Sequence, residues 1–189
     1  MWYAQWRQDW LISVRLIGGE GSESQTQVEG TVPRKRVYIE TSIVSYLTAW
    51  PSRDLVKAAR QEITLEWWER RSPDFELYTS ELALEEAADG NDAAAGKRVA
   101  VLRGIRLLRL TQEVGMLAHA LIAGGALPRK AVGDAAHIAV AAVHGMDFLL
   151  TWNCRHLANS ELIEGVSGLL LSRGYKSPVV CTPETLMGE

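Results

Sequence analysis

From Arg34 onward, apolar runs of strand length alternate with longer stretches of helical periodicity, and this alternation restricts the fold more than any other feature of the chain. Strands separated by helices build βαβ crossovers, and such crossovers make a parallel sheet covered on both faces. The runs are RVYIE (36–40), FELYTS (75–80), IRLLRL (105–110), FLLTW (148–152) and a short terminal strand ahead of Thr182 and Pro183. The fold class is therefore α/β.

Local signals place the helices. Thr41 and Ser42 can cap a helix from Ile43 to about Ala49. Asp54 caps one running to Arg71, with Leu55, Ala58, Ala59, Ile63 and Trp67 as its apolar positions, and Ser72–Pro73 ends it. Ser80 caps ELALEEAADG, for which Gly90 is the stop. A helix over about 92–103 leads to the third strand, and Gln112–Ile122 follows it, closed by Gly124 and Gly125. Asp134 opens the apolar helix AAHIAVAAVHG, and the tail supplies one more helix.

A chain of 189 residues is long enough for one domain and too short for two ordinary ones. The stretch GGEGSESQTQVEGTVP before Arg34 has almost nothing to bury, so residues 1–34 read as an extension and linker and residues 35–189 as the domain. Trp2, Trp6 and Trp10 would share one face if that extension were helical. No run approaches the roughly 18 apolar residues of a membrane span, and the first residues lack a basic start and a cleavage site. Cys154 and Cys181 form neither a disulfide framework nor a zinc pattern, so the expectation is a cytoplasmic protein with no membrane partner. With 20 basic against 23 acidic side chains the net charge is −3, so nucleic-acid binding has to come from a local patch.

Three carboxylates fall where ligands gather in an open parallel sheet, at strand ends and the first turns of the helices that follow. Glu40 ends the first strand, Glu85 or Glu86 lies in the helix after the second, and Asp134 opens the helix before the fourth. Asn153, just past FLLTW, adds another polar oxygen. Oxygens of this kind suit a hard divalent cation. Taken singly, Asp134 is also explained by the helix macrodipole, and Glu81, Glu85 and Glu86 by a solvated helix face. Glu40 is different, because a carboxylate ending an apolar strand needs a partner to offset its desolvation.

The ordered set VYIETS, ELALEEAADG, GDAAHIAVAA and FLLTWNCRHL resembles the PIN-domain nucleases, in particular the VapC-type toxins of bacterial toxin–antitoxin pairs, over roughly residues 35–187. Glu40, Thr41 and Ser42 fall on that family's Asp-Thr-Ser/Asn motif, and Glu86, four residues before Gly90, on its helical glutamate. Asp134 falls on the Asp-Ala-x-x-x-Ala acid and Asn153 on the last position of Thr-x-Asp. Two positions depart from the pattern: Glu40 and Asn153 each stand where the family has aspartate.

The resemblance implies a PIN-like three-layer α/β/α fold with a central parallel sheet of four to five strands. It also implies an endoribonuclease that uses Mg²⁺ or Mn²⁺ to activate water and stabilise the charge added at phosphorus. Glu40, Glu86 and Asp134 would hold the metal directly or through water, Asn153 would complete the catalytic set, and the hydroxyls of Thr41, Ser42 and Thr151 would stand behind the ligands. The implied partners are an RNA substrate, a small antitoxin protein and a second copy of the chain. The alternative, motivated by Glu40 and Asn153, is a catalytically weakened PIN scaffold that binds RNA or protein. A flavodoxin-like domain with another ligand is a third reading, opposed by the lack of a Gly-rich phosphate loop after the first strand.

The run KRVAVLRGIRLLRL carries Lys97, Arg98, Arg103, Arg106 and Arg109 with no acid among them. Lys97, Arg103 and Arg106 are the candidates for phosphate contacts, although a solvated helix face followed by edge-strand charges explains them equally well. His137 reads as a packed helix residue, His156 as a candidate substrate contact beside Asn153, and Trp67, Trp68 and Trp152 as core or interface aromatics.

Overall fold

The computed structural model describes residues 33–153, 157 and 160–188. The Trp2, Trp6 and Trp10 face, Cys154 and His156 lie outside the described residues. Five strands, β1 (Arg36–Ile39), β2 (Glu76–Ser80), β3 (Arg106–Leu108), β4 (Phe148–Leu150) and β5 (Val179–Cys181), form one sheet in the order β3-β2-β1-β4-β5. All four pairings are parallel. The helices are α1 (Thr41–Thr48), α2 (Leu55–Arg70), α3 (Glu81–Ala88), α4 (Asp92–Leu102), α5 (Gln112–Ala123), α6 (Val132–Val143) and α7 (Ser160–Ser172).

Alternation along the strands splits the core in two. Val37, Ile39 and Leu150 face one side, where they meet Ile43, Val44, Leu65, Trp67, Ala83 and Leu102 from α1 to α4. Tyr38 and Leu149 face the other and meet Val114, Leu117, Leu121, Ile138 and Leu170 from α5, α6 and α7. The result is a sheet between two helical layers, as the sequence pattern predicts.

The strand order also locates the crevice. From β1 the chain winds outward through β2 to β3 and then returns to the far side of β1 for β4, so β1 and β4 are neighbours whose connections leave in opposite directions. Ligands in open parallel sheets bind at the carboxyl ends of such a pair. A flavodoxin-like sheet would run in the order 2-1-3-4-5. The observed order, and the glycine-free turn Glu40-Thr41-Ser42 after β1, exclude that reading.

Several local expectations are corrected. Glu40 itself caps α1, its carboxylate curling back to accept the Ser42 amide at 3.0 Å, so the helix begins at Thr41 and not at Ile43. α6 begins at Val132, which places Asp134 inside the first turn and not at its cap. On α2 the buried face is Gln61, Thr64, Leu65 and Trp67, while Leu55 is 86% exposed. The polar members of that face are buried because they are bonded. The Gln61 amide donates to the Trp50 carbonyl at 2.9 Å and accepts from the Ser52 amide at 2.8 Å, tying down the α1–α2 connection. Thr64 accepts from the Trp152 indole at 2.7 Å.

At the opposite, amino-terminal edge of the sheet, Asp147 braces three strands. It accepts from the Arg36 amide at 2.9 Å and the Lys176 ammonium at 2.7 Å, and its carbonyl accepts from the Val179 amide at 2.9 Å. Among the described residues no helix is long and apolar enough to cross a membrane.

Candidate metal centre

Two glutamates from different elements meet at the crevice, and each has one carboxylate oxygen fixed by the fold. Glu40, 7% exposed, follows β1 directly. Its Oε2 accepts from the Ser42 amide at 3.0 Å, from the Thr151 hydroxyl at 2.8 Å and from the Ser42 hydroxyl. These bonds offset its burial without any cation. The two hydroxyls are fixed in turn, Ser42 Oγ accepting from the Trp152 amide at 2.8 Å and Thr151 Oγ1 from the Asn153 amide at 2.9 Å.

Glu86 reaches the same place from α3, whose start is fixed by the Ser80 cap on the Ala83 amide. Its Oε2 accepts from the Thr41 hydroxyl and lies 3.1 Å from His137 Nε2. Burial opposes its ionisation, but the hydrogen bond and charge of His137 and the Thr41 hydroxyl outweigh burial and hold the carboxyl below its usual range. Glu85, one residue earlier, is exposed and points elsewhere. Oε1 of Glu40 and of Glu86 accepts no hydrogen bond from the described residues, and beside Glu86 Oε1 stands Gly133, where a Cβ would come within 3.7 Å.

Asp134 and Asn153 form a second group. The Asn153 side-chain amide donates to Asp134 Oδ1 at 2.7 Å, and the Asn153 main-chain bond to Thr151 links this pair to Glu40. The ligand atoms that stand within 4.8 Å of one another are those of Glu40, Glu86 and His137, a set that does not include Asp134.

His137 is the residue that sequence reasoning assigned to packing alone. Its side chain is 3% exposed, yet it faces the carboxylates. Its Nδ1 lies 2.7 Å from the Tyr38 hydroxyl, which lies 2.6 Å from Ser80 Oγ, so a buried line of polar groups runs from the α3 cap to Glu86. Burial pushes the Tyr38 phenol far above its ordinary value and keeps it a neutral hydrogen-bonding group. The signal was available in the sequence: His137 follows Asp134 by three residues, a spacing that puts both on one helix face.

The basic candidates lie elsewhere. Arg103 follows the last residue of α4, and Arg106 opens β3 on the outermost strand of the sheet, in register with Tyr78 and Tyr38. Arg106 is engaged with Glu76 at 3.3 Å and the Tyr78 hydroxyl at 3.2 Å. The Lys97 ammonium sits 4.7 Å from the Trp50 ring centre, past the end of α1 remote from Glu40. Among the described residues, Arg60 stacks 5.2 Å over the Trp152 ring and 6.0 Å over Tyr46.

Neither a family model nor any curated protein matches the sequence. Among solved structures, the chain is similar to Mycobacterium tuberculosis VapC20, described as a sarcin–ricin-loop-cleaving toxin, with a TM-score of 0.52 at 17% identity. The match covers 66% of this chain and 95% of that one. The two chains share a fold. It is the PIN-like α/β fold, with its all-parallel five-stranded sheet between helices.

Proposed function

We propose that this chain is a metal-dependent endoribonuclease, the toxin of a two-component pair, with Glu40 and Glu86 as direct ligands of Mg²⁺ or Mn²⁺ and Asp134 reaching the ion through water. The observation that carries this reading is the meeting of Glu40 and Glu86 at the carboxyl ends of β1 and α3's preceding strand, each with Oε2 bound and Oε1 open. The donor set fits such an ion, since hard divalent cations take carboxylate oxygens. Bound there, the ion would polarise water and the scissile phosphate. The chain's own hydroxyls do the orienting: Ser42 and Thr151 hold Glu40, and Thr41 holds Glu86. The Asn153 amide holds Asp134 at the rim, and Trp152, pinned by Ser42 and Thr64, forms a rigid wall. An antitoxin, a homodimeric state and a cytoplasmic setting belong to the same proposal.

A second reading, a PIN scaffold that binds without cleaving, draws on one observation: the Asn153–Asp134 bond satisfies that carboxylate without a cation. Cleavage assays separate the two. Structured RNAs, including a sarcin–ricin loop, and single-stranded RNAs are incubated with Mg²⁺, Mn²⁺ or a chelator. The nuclease reading predicts ion-dependent cleavage by the wild type and its loss in Glu86→Gln. Intact RNA with either ion, together with ion-independent RNA binding, would support the scaffold.

A further inference from the structure

We infer that His137 is itself a metal ligand, so that Glu40, Glu86 and His137 form a mixed oxygen–nitrogen centre that prefers a first-row transition ion such as Mn²⁺ to Mg²⁺. The inference rests on the metal-dependent reading above and adds to it a ligand that the family motifs do not supply.

Geometry is the first support. The donor atoms of the three side chains stand within 4.8 Å of one another. His137 Nε2 and Glu86 Oε2 are 3.1 Å apart. Two donors at right angles around an ion with bonds of about 2.1 Å stand about 3 Å apart, so this pair is already spaced as neighbouring ligands of one ion. An ion taken by Nε2 and by the Glu86 carboxylate, whose Oε1 is open, would stand in place of the hydrogen bond between them.

The second support is what lies behind the imidazole. Metal-binding histidines almost always give their other ring N–H to a fixed partner, which sets the tautomer. His137 Nδ1 has such a partner in the Tyr38 hydroxyl at 2.7 Å, itself 2.6 Å from Ser80 Oγ. With Nε2 on the ion, Nδ1–H donates to Tyr38 and Tyr38 donates to Ser80. Nothing in the buried line has to move. The imidazole is 3% exposed and reaches from α6 against Tyr38 of β1, so its aim at the glutamates is fixed before any ion arrives.

The ligand chemistry then selects the ion. Imidazole suits transition metals, and affinities for nitrogen-bearing sites rise from Mn²⁺ along the row, whereas Mg²⁺ strongly favours oxygen and retained water.

Pulsed electron paramagnetic resonance on the Mn²⁺-loaded full chain tests this without reference to activity. The spectrum should contain modulation from a directly bound nitrogen, change when histidine is ¹⁵N-labelled, and disappear in His137→Gln while Mn²⁺ still binds, at least tenfold more weakly. The ratio of Mn²⁺ to Mg²⁺ affinity should narrow in the same variant. Should His137→Gln fail to fold, a chain with His119, His144 and His156 replaced by glutamine must retain the nitrogen signal. Bound Mn²⁺ without nitrogen coupling, or coupling that survives His137→Gln, would overturn the ligand role and leave the nuclease reading standing. Absence of Mn²⁺ binding at millimolar concentration would overturn both.

Discussion

Asn153 donates its side-chain amide to Asp134 Oδ1 at 2.7 Å, so a neutral donor pairs with that carboxylate oxygen beside the crevice. An Asn153→Asp variant would set two carboxylates against each other at that distance. In metal-free buffer it should be less stable than the wild type by about 1–2 kcal/mol, the scale of a lost hydrogen bond to a charged group plus repulsion. Millimolar Mn²⁺ should restore the loss by binding only the folded form. Thermal melting with and without Mn²⁺ checks both halves, and a variant as stable as the wild type without metal would show that the pair carries no strain to relieve.

Trp152 forms the crevice wall because its indole nitrogen is held by Thr64 at 2.7 Å. Thr64→Val keeps the volume and removes the acceptor, leaving a buried N–H without a partner. The expected cost is about 1–3 kcal/mol in urea unfolding. A change within a few tenths would mean the indole finds another acceptor.

Asp147 supplies a pH dependence of known sign. Burial opposes its ionisation, but the Arg36 amide, Lys176 and Lys35 outweigh it and lower its pKa below the ordinary aspartate value of about 3.9. A carboxyl depressed in the folded state stabilises above its unfolded pKa and loses that contribution as pH falls through the folded one. Asp147→Asn should therefore cost about 1–2 kcal/mol at neutral pH, on the scale of a charge-assisted bond. The gap from the wild type should close as the pH falls through the folded-state pKa, below the ordinary aspartate range. A gap unchanged across that range would remove the charge from the account.

Arg60 stacks on Trp152, the residue between Thr151 and Asn153, and under the nuclease proposal it is a candidate phosphate contact. Arg60→Ala should weaken RNA binding uniformly across sequences and reduce the salt slope by about one. Arg106→Ala, on the outermost strand β3, should leave both unchanged, and the reverse result would put the RNA path across β3.

Much of this arrangement was legible in the sequence. RVYIE, FELYTS and FLLTW announce parallel strands through their apolar runs, and the Asp54 and Ser80 caps fix where two helices begin. The residues alone leave Glu85 and Glu86 open and the family resemblance favours Glu86; in the fold Glu86 is half-buried and Glu85 exposed. What stayed hidden depends on contacts across the chain. Gln61 and Thr64 are not among the apolar positions of their helix, and their partners, Trp50, Ser52 and Trp152, lie in other segments. His137 read as packing because its line of partners, Tyr38, Ser80 and Glu86, is assembled only when β1, β2 and α3 come together. The basic run from Lys97 to Arg109 suggested a substrate patch; the fold puts its Arg106 on the outermost strand, where it bonds Glu76 and the Tyr78 hydroxyl.

Cleavage of RNA by the Glu40→Gln/Glu86→Gln double variant, compared with the wild type in Mn²⁺ after each protein is shown to melt cooperatively, tests the central claim most directly. The two substitutions keep size and hydrogen-bonding capacity while removing both open carboxylate charges. The account predicts that the folded double variant loses at least a hundredfold in rate and no longer responds to Mn²⁺, an expectation of about 2.7 kcal/mol in the barrier. Wild-type cleavage that persists at full rate in the folded double variant would contradict it.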